Sequence, residues 1–227
     1  MMEHPIEIAT VGHSNITAEA FVALLTTHNV TAIADVRSTP YSRYTPQFSR
    51  ETLQATLKVA GITYVFLGDE LGARSKNPEC YTPDGQVVYA RIAETSLFRT
   101  GIDRVMRGAQ TYRLSLMCAE REPLDCHRTL LVAQALVTRG AVVSHILHNG
   151  NREQHEQTLQ RMDAEYLKQY QYQYGVVAPT LWELASPAEH TEAFRPPTLR
   201  AYALEQLEAK IAYRKPGANT QEVEDRG

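Results

Sequence analysis

The stretch "YRLSLMCAEREPLDCHRTLLVAQALVTRGAVVSHIL", residues 112–147, holds a strand, a polar loop, a helix and a second strand in succession. Tyr112 to Met117 is a short, mostly apolar run of the kind that forms a buried strand. Leu130, Leu131, Ala135 and Leu136 recur at helical spacing, which predicts a helix from His127 to Arg139 that ends at Gly140. "AVVSHIL" then predicts another buried strand. Two strands joined through a helical crossover lie parallel, and this unit sets the fold class.

The same alternation extends upstream. Ile6 to Val11 predicts a strand ending at Gly12, and Thr17 is placed to cap a helix that buries Phe21, Leu24 and Leu25. "VTAIADV" (30–36) predicts the second strand, and the proline-punctuated loop "RSTPYSRYTPQ" follows it. Ser49 is placed to cap a helix with Leu53, Leu57 and Ala60 inward and Gly61 at its end. "ITYVFLG" predicts a third strand. Residues 68–86 form a long polar excursion, and Val88 to about Arg107 predicts a helix broken near Gly101.

The expected fold is α/β, a doubly wound and mostly parallel sheet flanked by helices, with extra C-terminal helices. The expected division is a core domain over 1–150, a helical extension over 151–214 packed on it, and a disordered tail over 215–227. Within the extension, 151–174 predicts one polar helix whose tyrosine-rich end, "YLKQYQYQYG", supplies packing groups between the extra helices and the sheet. A second helix is predicted over 198–214.

The chain has 227 residues, 43% of them apolar and 22% charged, enough to bury a full core without disulfides or structural metals. A net charge of -3 gives no overall signal for nucleic-acid binding. Three cysteines, Cys80, Cys118 and Cys126, are too few, and odd in number, for a secreted disulfide framework. "MMEHPIEIAT" lacks a basic segment followed by an apolar core, and no apolar run reaches the ~20 residues of a membrane span. The expectation is a cytoplasmic protein with no membrane partner.

Ligands of an open parallel sheet bind beyond the carboxyl ends of its strands, and the polar clusters of this chain fall there. Strand one ends in His13, Ser14 and Asn15, strand two in Asp35, Arg37 and Ser38. Strand four ends in Cys118 and Glu120, and its loop closes with Cys126, His127 and Arg128. Each has a plain structural alternative: a turn, a buried ion pair, a small core residue. Three segments converging on one edge are what point to a site.

Glu120 is the candidate general acid, base or nucleophile, and His13 and Asp35 could orient it or exchange a proton. Cys126 near a helix N-terminus is a candidate low-pKa thiol. Arg37 and Arg128 are candidates to hold an anion, with Ser14, Asn15, Ser38 and His127 as further ligand contacts. Tyr41 and Arg43 suit stacking on a base and contact with a phosphate backbone. Cys118, Cys126, His127 and His13 could supply four zinc ligands, but adjacent Cys126 and His127 would point apart. No metal ligand is therefore assigned, and the cofactor is left open.

"TVGHSN", "ADVRSTPYSR", "LMCAEREPLDCHR" and the following "G..V.HI" together resemble the domain of unknown function 488 family, over roughly residues 8–148. The resemblance implies a compact α/β domain in a bacterial or archaeal cytoplasmic protein and carries over no activity. Its matched positions are His13, Ser14, Asn15, Asp35, Arg37, Ser38, Cys118, Glu120, Cys126, His127 and Arg128. The leading expectation is an enzyme acting by hydrolysis or group transfer on a nucleotide or nucleic-acid substrate. The alternatives are a non-catalytic nucleotide or nucleic-acid binding module and a thiol- or metal-dependent enzyme using Cys118 and Cys126.

Overall fold

The computed structural model describes residues 5–175 and 196–216. Five strands run parallel: β1 (Glu7–Gly12), β2 (Ala32–Asp35), β3 (Thr63–Phe66), β4 (Leu114–Cys118) and β5 (Val142–Ile146). β6 (Arg152–Gln154) pairs antiparallel with β5, and the sheet order is β3-β2-β4-β1-β5-β6. The doubly wound, mostly parallel α/β sheet is the one the sequence predicts.

Helices α1 (Ala18–Thr27) and α2 (Arg50–Val59) cover one face. The other carries α3 (Gly68–Leu71), α4 (Tyr89–Glu94), α5 (Ser96–Ala109), α6 (Gln134–Thr138), α7 (His155–Tyr174) and α8 (Leu199–Ile211). Alternate strand residues serve the two cores. Ala9, Val11, Ile33 and Met117 meet α1 and α2, while Ile8, Ala32, Ala34, Leu114 and Leu116 meet the opposite layer. Burial on both faces explains why these strands read as unbroken apolar runs.

Several expected boundaries move. Residues 152–154 form β6 instead of starting a helix, because the chain reverses at Gly150 (φ 83) and Leu147 N–H bonds Asn151 O. The helix predicted to break at Gly101 breaks at Thr95, whose Oγ1 accepts from Phe98 N–H and caps α5. Gly101 instead lies inside α5, where a Cβ would stand 2.7 Å from Glu70 and Leu71 side-chain atoms of α3. The predicted helix 127–139 starts as a π-wound segment, Arg128–Ala133, before α6.

In α7, Tyr170 and Tyr174 pack on Tyr202 of α8, Tyr166 packs against the core beneath, and Tyr172 is exposed. Lys215, expected to open a disordered tail, donates its N–H to Gly85 O and sets its ammonium 3.8 Å from the Tyr81 ring. Residues 217–227 of that expected tail lie outside the described residues. Among the described residues no helix is long and apolar enough to cross a membrane.

Two buried histidines couple the sheet to α7. His145 of β5 bonds Thr10 Oγ1 at 2.8 Å and His155 Nδ1 at 3.0 Å. Burial keeps both neutral, lowering His155 to about 4 and His145 further. Arg128 and Arg161 add to the effect at His145, and Arg200 at His155, where Glu156 opposes it. Unfolded histidines titrate near 6.5, so protons bind the unfolded chain first, and the stability present above that pH is lost as pH falls toward 4. Urea titrations should show a loss on the order of 3 kcal/mol for each of the two histidines by pH 4, shallower in His155→Gln; a pH-independent midpoint would contradict this coupling.

Candidate functional site

β1 and β2 send their crossover helices α1 and α2 to one face, whereas β4, between them, sends its helix to the other. The chain therefore diverges at the end of β4, the switch point where such sheets leave a crevice. The β1–β4 ladder runs on past the strands, with His13 N–H bonding Cys118 O and Ser14 N–H bonding Ala119 O. The loop after β4 crosses so close over Gly12 that a Cβ there would lie 1.8 Å from Glu120 O.

From below, the guanidinium of Arg128 donates from Nη1 to Glu120 O (2.5 Å) and from Nη2 to Arg121 O (3.1 Å). Arg128, expected to hold an anion, has no solvent exposure, and its Nη1 and Nη2 hold the loop. Sequence reasoning had no means of seeing that the loop carbonyls would lie over this side chain.

A second cluster occupies the face covered by α1 and α2. Arg37 donates from Nε and Nη2 to the two oxygens of Asp35 (2.9 and 2.7 Å), from Nη2 to Phe48 O, and from Nη1 to His13 Nε2 (3.0 Å). Tyr64 donates a further bond to Asp35 Oδ2 at 2.7 Å. His13 Nδ1 faces Ser14 O at 2.7 Å, so it carries the proton and Nε2 accepts from Arg37. Its ring stacks on Phe48 at 4.1 Å between centroids. Burial, then the charge of Arg37, lowers His13 to about 4. His13 and Asp35 thus hold Arg37 by direct bonds, and the His13 lone pair is not free for a ligand.

On the opposite face lies a sulfur cluster. Cys118 and Cys126 Sγ stand 2.9 and 3.0 Å from Glu120 Oε2, and each lies 3.8 Å from His127 Nδ1. The expectation that adjacent Cys126 and His127 point apart fails for a local reason. Cys126 is extended (φ -139, ψ 136) and His127 already helical (φ -57, ψ -24), so the alternation of a strand does not apply between them. His127 Nε2 donates to Val36 O at 3.2 Å and so turns Nδ1 toward the sulfurs.

Burial opposes ionisation of Cys126, but the hydrogen bond from Cys118 and the charges of Arg128 and His127 hold it well below the usual thiol range. Cys118, as the donor, is pushed up. Burial opposes charge on His127, and its bond with Cys126 outweighs that and raises its pKa. Glu120 is raised by burial of its carboxyl end and by Cys126, although the residue as a whole is exposed.

A cavity of about 250 Å³ opens between the clusters and is lined by Arg37, Ser38, Cys118, Glu120 and His127. Arg74, Tyr89, Asp125 and Tyr213 also contribute to its wall. The sequence flagged the 68–86 excursion but could not single out Arg74, whose N–H bonds Ser38 Oγ and whose guanidinium lies 4.6 Å from the Tyr213 ring. Cys126 and His13 do not line this cavity, and neither do Ser14 and Asn15, whose side chains bond each other. Tyr41, bonded to Glu51, and Arg43 lie exposed in the loop beyond Ser38 and away from the cavity wall.

The model of the family described as "Domain of unknown function DUF488" matches residues 17–135. The chain belongs to the DUF488 family. The DUF488 match takes in both the Asp35–Arg37 and the Cys118–Arg128 segments and begins after His13, Ser14 and Asn15. The chain matches no curated protein and no solved structure.

Two substitutions probe this architecture. Gly12→Ala should displace the loop and lower stability by about 1–3 kcal/mol in chemical denaturation. Asp35→Asn strips a buried guanidinium of its counter-charge and should cost about 3–5 kcal/mol, measured the same way. Near-native stability in either variant would show the contact to be dispensable.

Proposed function

We propose that this cavity is the active site of an enzyme that hydrolyses, or transfers a group on, a nucleotide or comparable small anionic substrate. The observation that carries the proposal is that Arg37 and Glu120, from two different strand ends, line the same cavity. Four of the five N–H donors of Arg37 are engaged by protein, which fixes its plane and leaves one for an occupant. Arg74, on the same wall, adds a second cation with an exposed approach. Two guanidiniums on one cavity wall suit a phosphate or carboxylate, and Tyr89 and Tyr213 supply aromatic surface to the same cavity.

Glu120 would then act on a proton. Contacts from both sulfurs to Oε2 fix the carboxyl group in place, and its other oxygen is available to take a proton from water or from a substrate hydroxyl. Arg37 does not exchange protons in this scheme. It orients the anion, and Asp35 and His13 orient Arg37.

A thermal-shift screen of nucleotides, phosphorylated sugars and short oligonucleotides tests the proposal, because a ligand at 100 times its Kd stabilises by about 2.7 kcal/mol. The expected hit is a mononucleotide whose shift is lost in Arg74→Ala and kept in Glu120→Gln. Turnover of that ligand should fall at least ~100-fold in Glu120→Gln. Retained turnover in Glu120→Gln would remove the catalytic role, and a screen without an anionic hit would remove the substrate class.

A further inference from the structure

The sulfur cluster supports a conclusion that does not depend on the reaction proposed above. Ligand atoms of Cys118, Cys126 and His127 all lie within 4.8 Å of one another, and all three residues are buried. With Zn–S near 2.3 Å and Zn–N near 2.0 Å, tetrahedral sulfur and nitrogen ligands stand about 3.6 Å apart. The two sulfur–nitrogen separations here are both 3.8 Å and the sulfurs lie within 4.8 Å of each other, a spacing at which one ion can reach all three ligand atoms after a modest contraction.

Three further observations point the same way. His127 donates its far nitrogen to Val36 O, and a bond of this kind fixes a metal-binding imidazole with its lone pair toward the ion. Arg128 is fully buried beside the cluster and has no carboxylate partner among the described residues, so its charge suits a site carrying thiolates. Cys118, Glu120 and His127 also line the cavity, which provides a path for the ion and an open coordination side.

We propose that Cys118, Cys126 and His127 bind one zinc ion, with the Glu120 carboxylate on its open side facing the cavity. Two thiolates and an imidazole select a borderline-soft cation over magnesium or calcium. Three protein ligands beside an open position are the pattern of a site that binds a water or a substrate group, not of a closed structural site. Glu120, closer to the sulfurs than a fourth ligand would stand, is placed to hydrogen-bond a metal-bound group.

The test uses the full chain, purified under reducing conditions, stripped with chelator and titrated with zinc or cobalt(II) alone. The expected result is one equivalent bound, with the cobalt form showing thiolate-to-metal charge transfer and the strong visible absorption of a tetrahedral centre. In competition with a chromophoric chelator, Cys118→Ser and Cys126→Ser should each weaken zinc binding by more than ~100-fold. Cys80→Ser, a buried thiol outside the cluster, should bind as the wild type does. Far-UV circular dichroism separates loss of the ligand from loss of the fold, and if the serine variants unfold, the wild-type cobalt spectrum decides. No uptake by the wild type, uptake without a thiolate band, or a native Cys118–Cys126 disulfide would each overturn the proposal. Metal content is read without substrate, so a failed nucleotide screen leaves this result intact, and the converse also holds.

Discussion

Arg128 is the residue on which the site's geometry depends. Its guanidinium has no solvent exposure; Nη1 and Nη2 meet the carbonyls of Glu120 and Arg121, while Nε has no hydrogen-bond partner. Those two bonds tie the β4 loop to the helix beneath it. A lysine carries a single compact ammonium in place of the planar fork and could not span both carbonyls in the same way. Gly12 is the matching condition on the other side, because only a missing Cβ lets the loop backbone lie so close to β1. Glu120, Cys126 and His127 take their positions from this clamp.

Charge and sulfur chemistry are divided between the faces of the sheet. Asp35, Tyr64, His13 and Phe48 surround Arg37 on one side, and Cys118, Cys126, His127 and Glu120 meet on the other. The division follows from β4 lying between two strands whose crossovers leave on the opposite face. His13 N–H bonds Cys118 O, joining a member of each cluster directly, and His127 Nε2 donates to Val36 O next to Arg37. The cavity opens where they meet, so it receives a fixed cation from one layer and a carboxylate beside two thiols from the other.

Much of this was legible in the chain. Apolar runs separated by helical spacing were enough for the parallel α/β sheet, since strands buried on both faces have a distinct pattern. The convergence of three polar segments on one edge follows from parallel topology, and the structure brings the Arg37 segment and the Cys118–Arg128 segment together there. Direction was harder. Arg128 and Arg37 look alike in sequence, yet one holds a loop and the other reaches the cavity, because exposure depends on what covers each. The relative direction of Cys126 and His127 is not legible in the sequence, because it turns on one change of backbone conformation. Arg74 and Tyr213 come from segments far apart in sequence, and no local pattern joins them.

By itself, the sequence determined the order of strands and helices, the class of fold and the inventory of reactive groups at the sheet's carboxyl edge. Those depend on periodicity, turn chemistry and residue type, all of which are local. Tertiary structure alone decided which groups share a space: that Asp35 and His13 serve Arg37, that Arg128 lies beneath the loop, and that two cysteines and a histidine meet beside Glu120. Distances between side chains are set by packing across the sheet, and packing is a property of the whole chain.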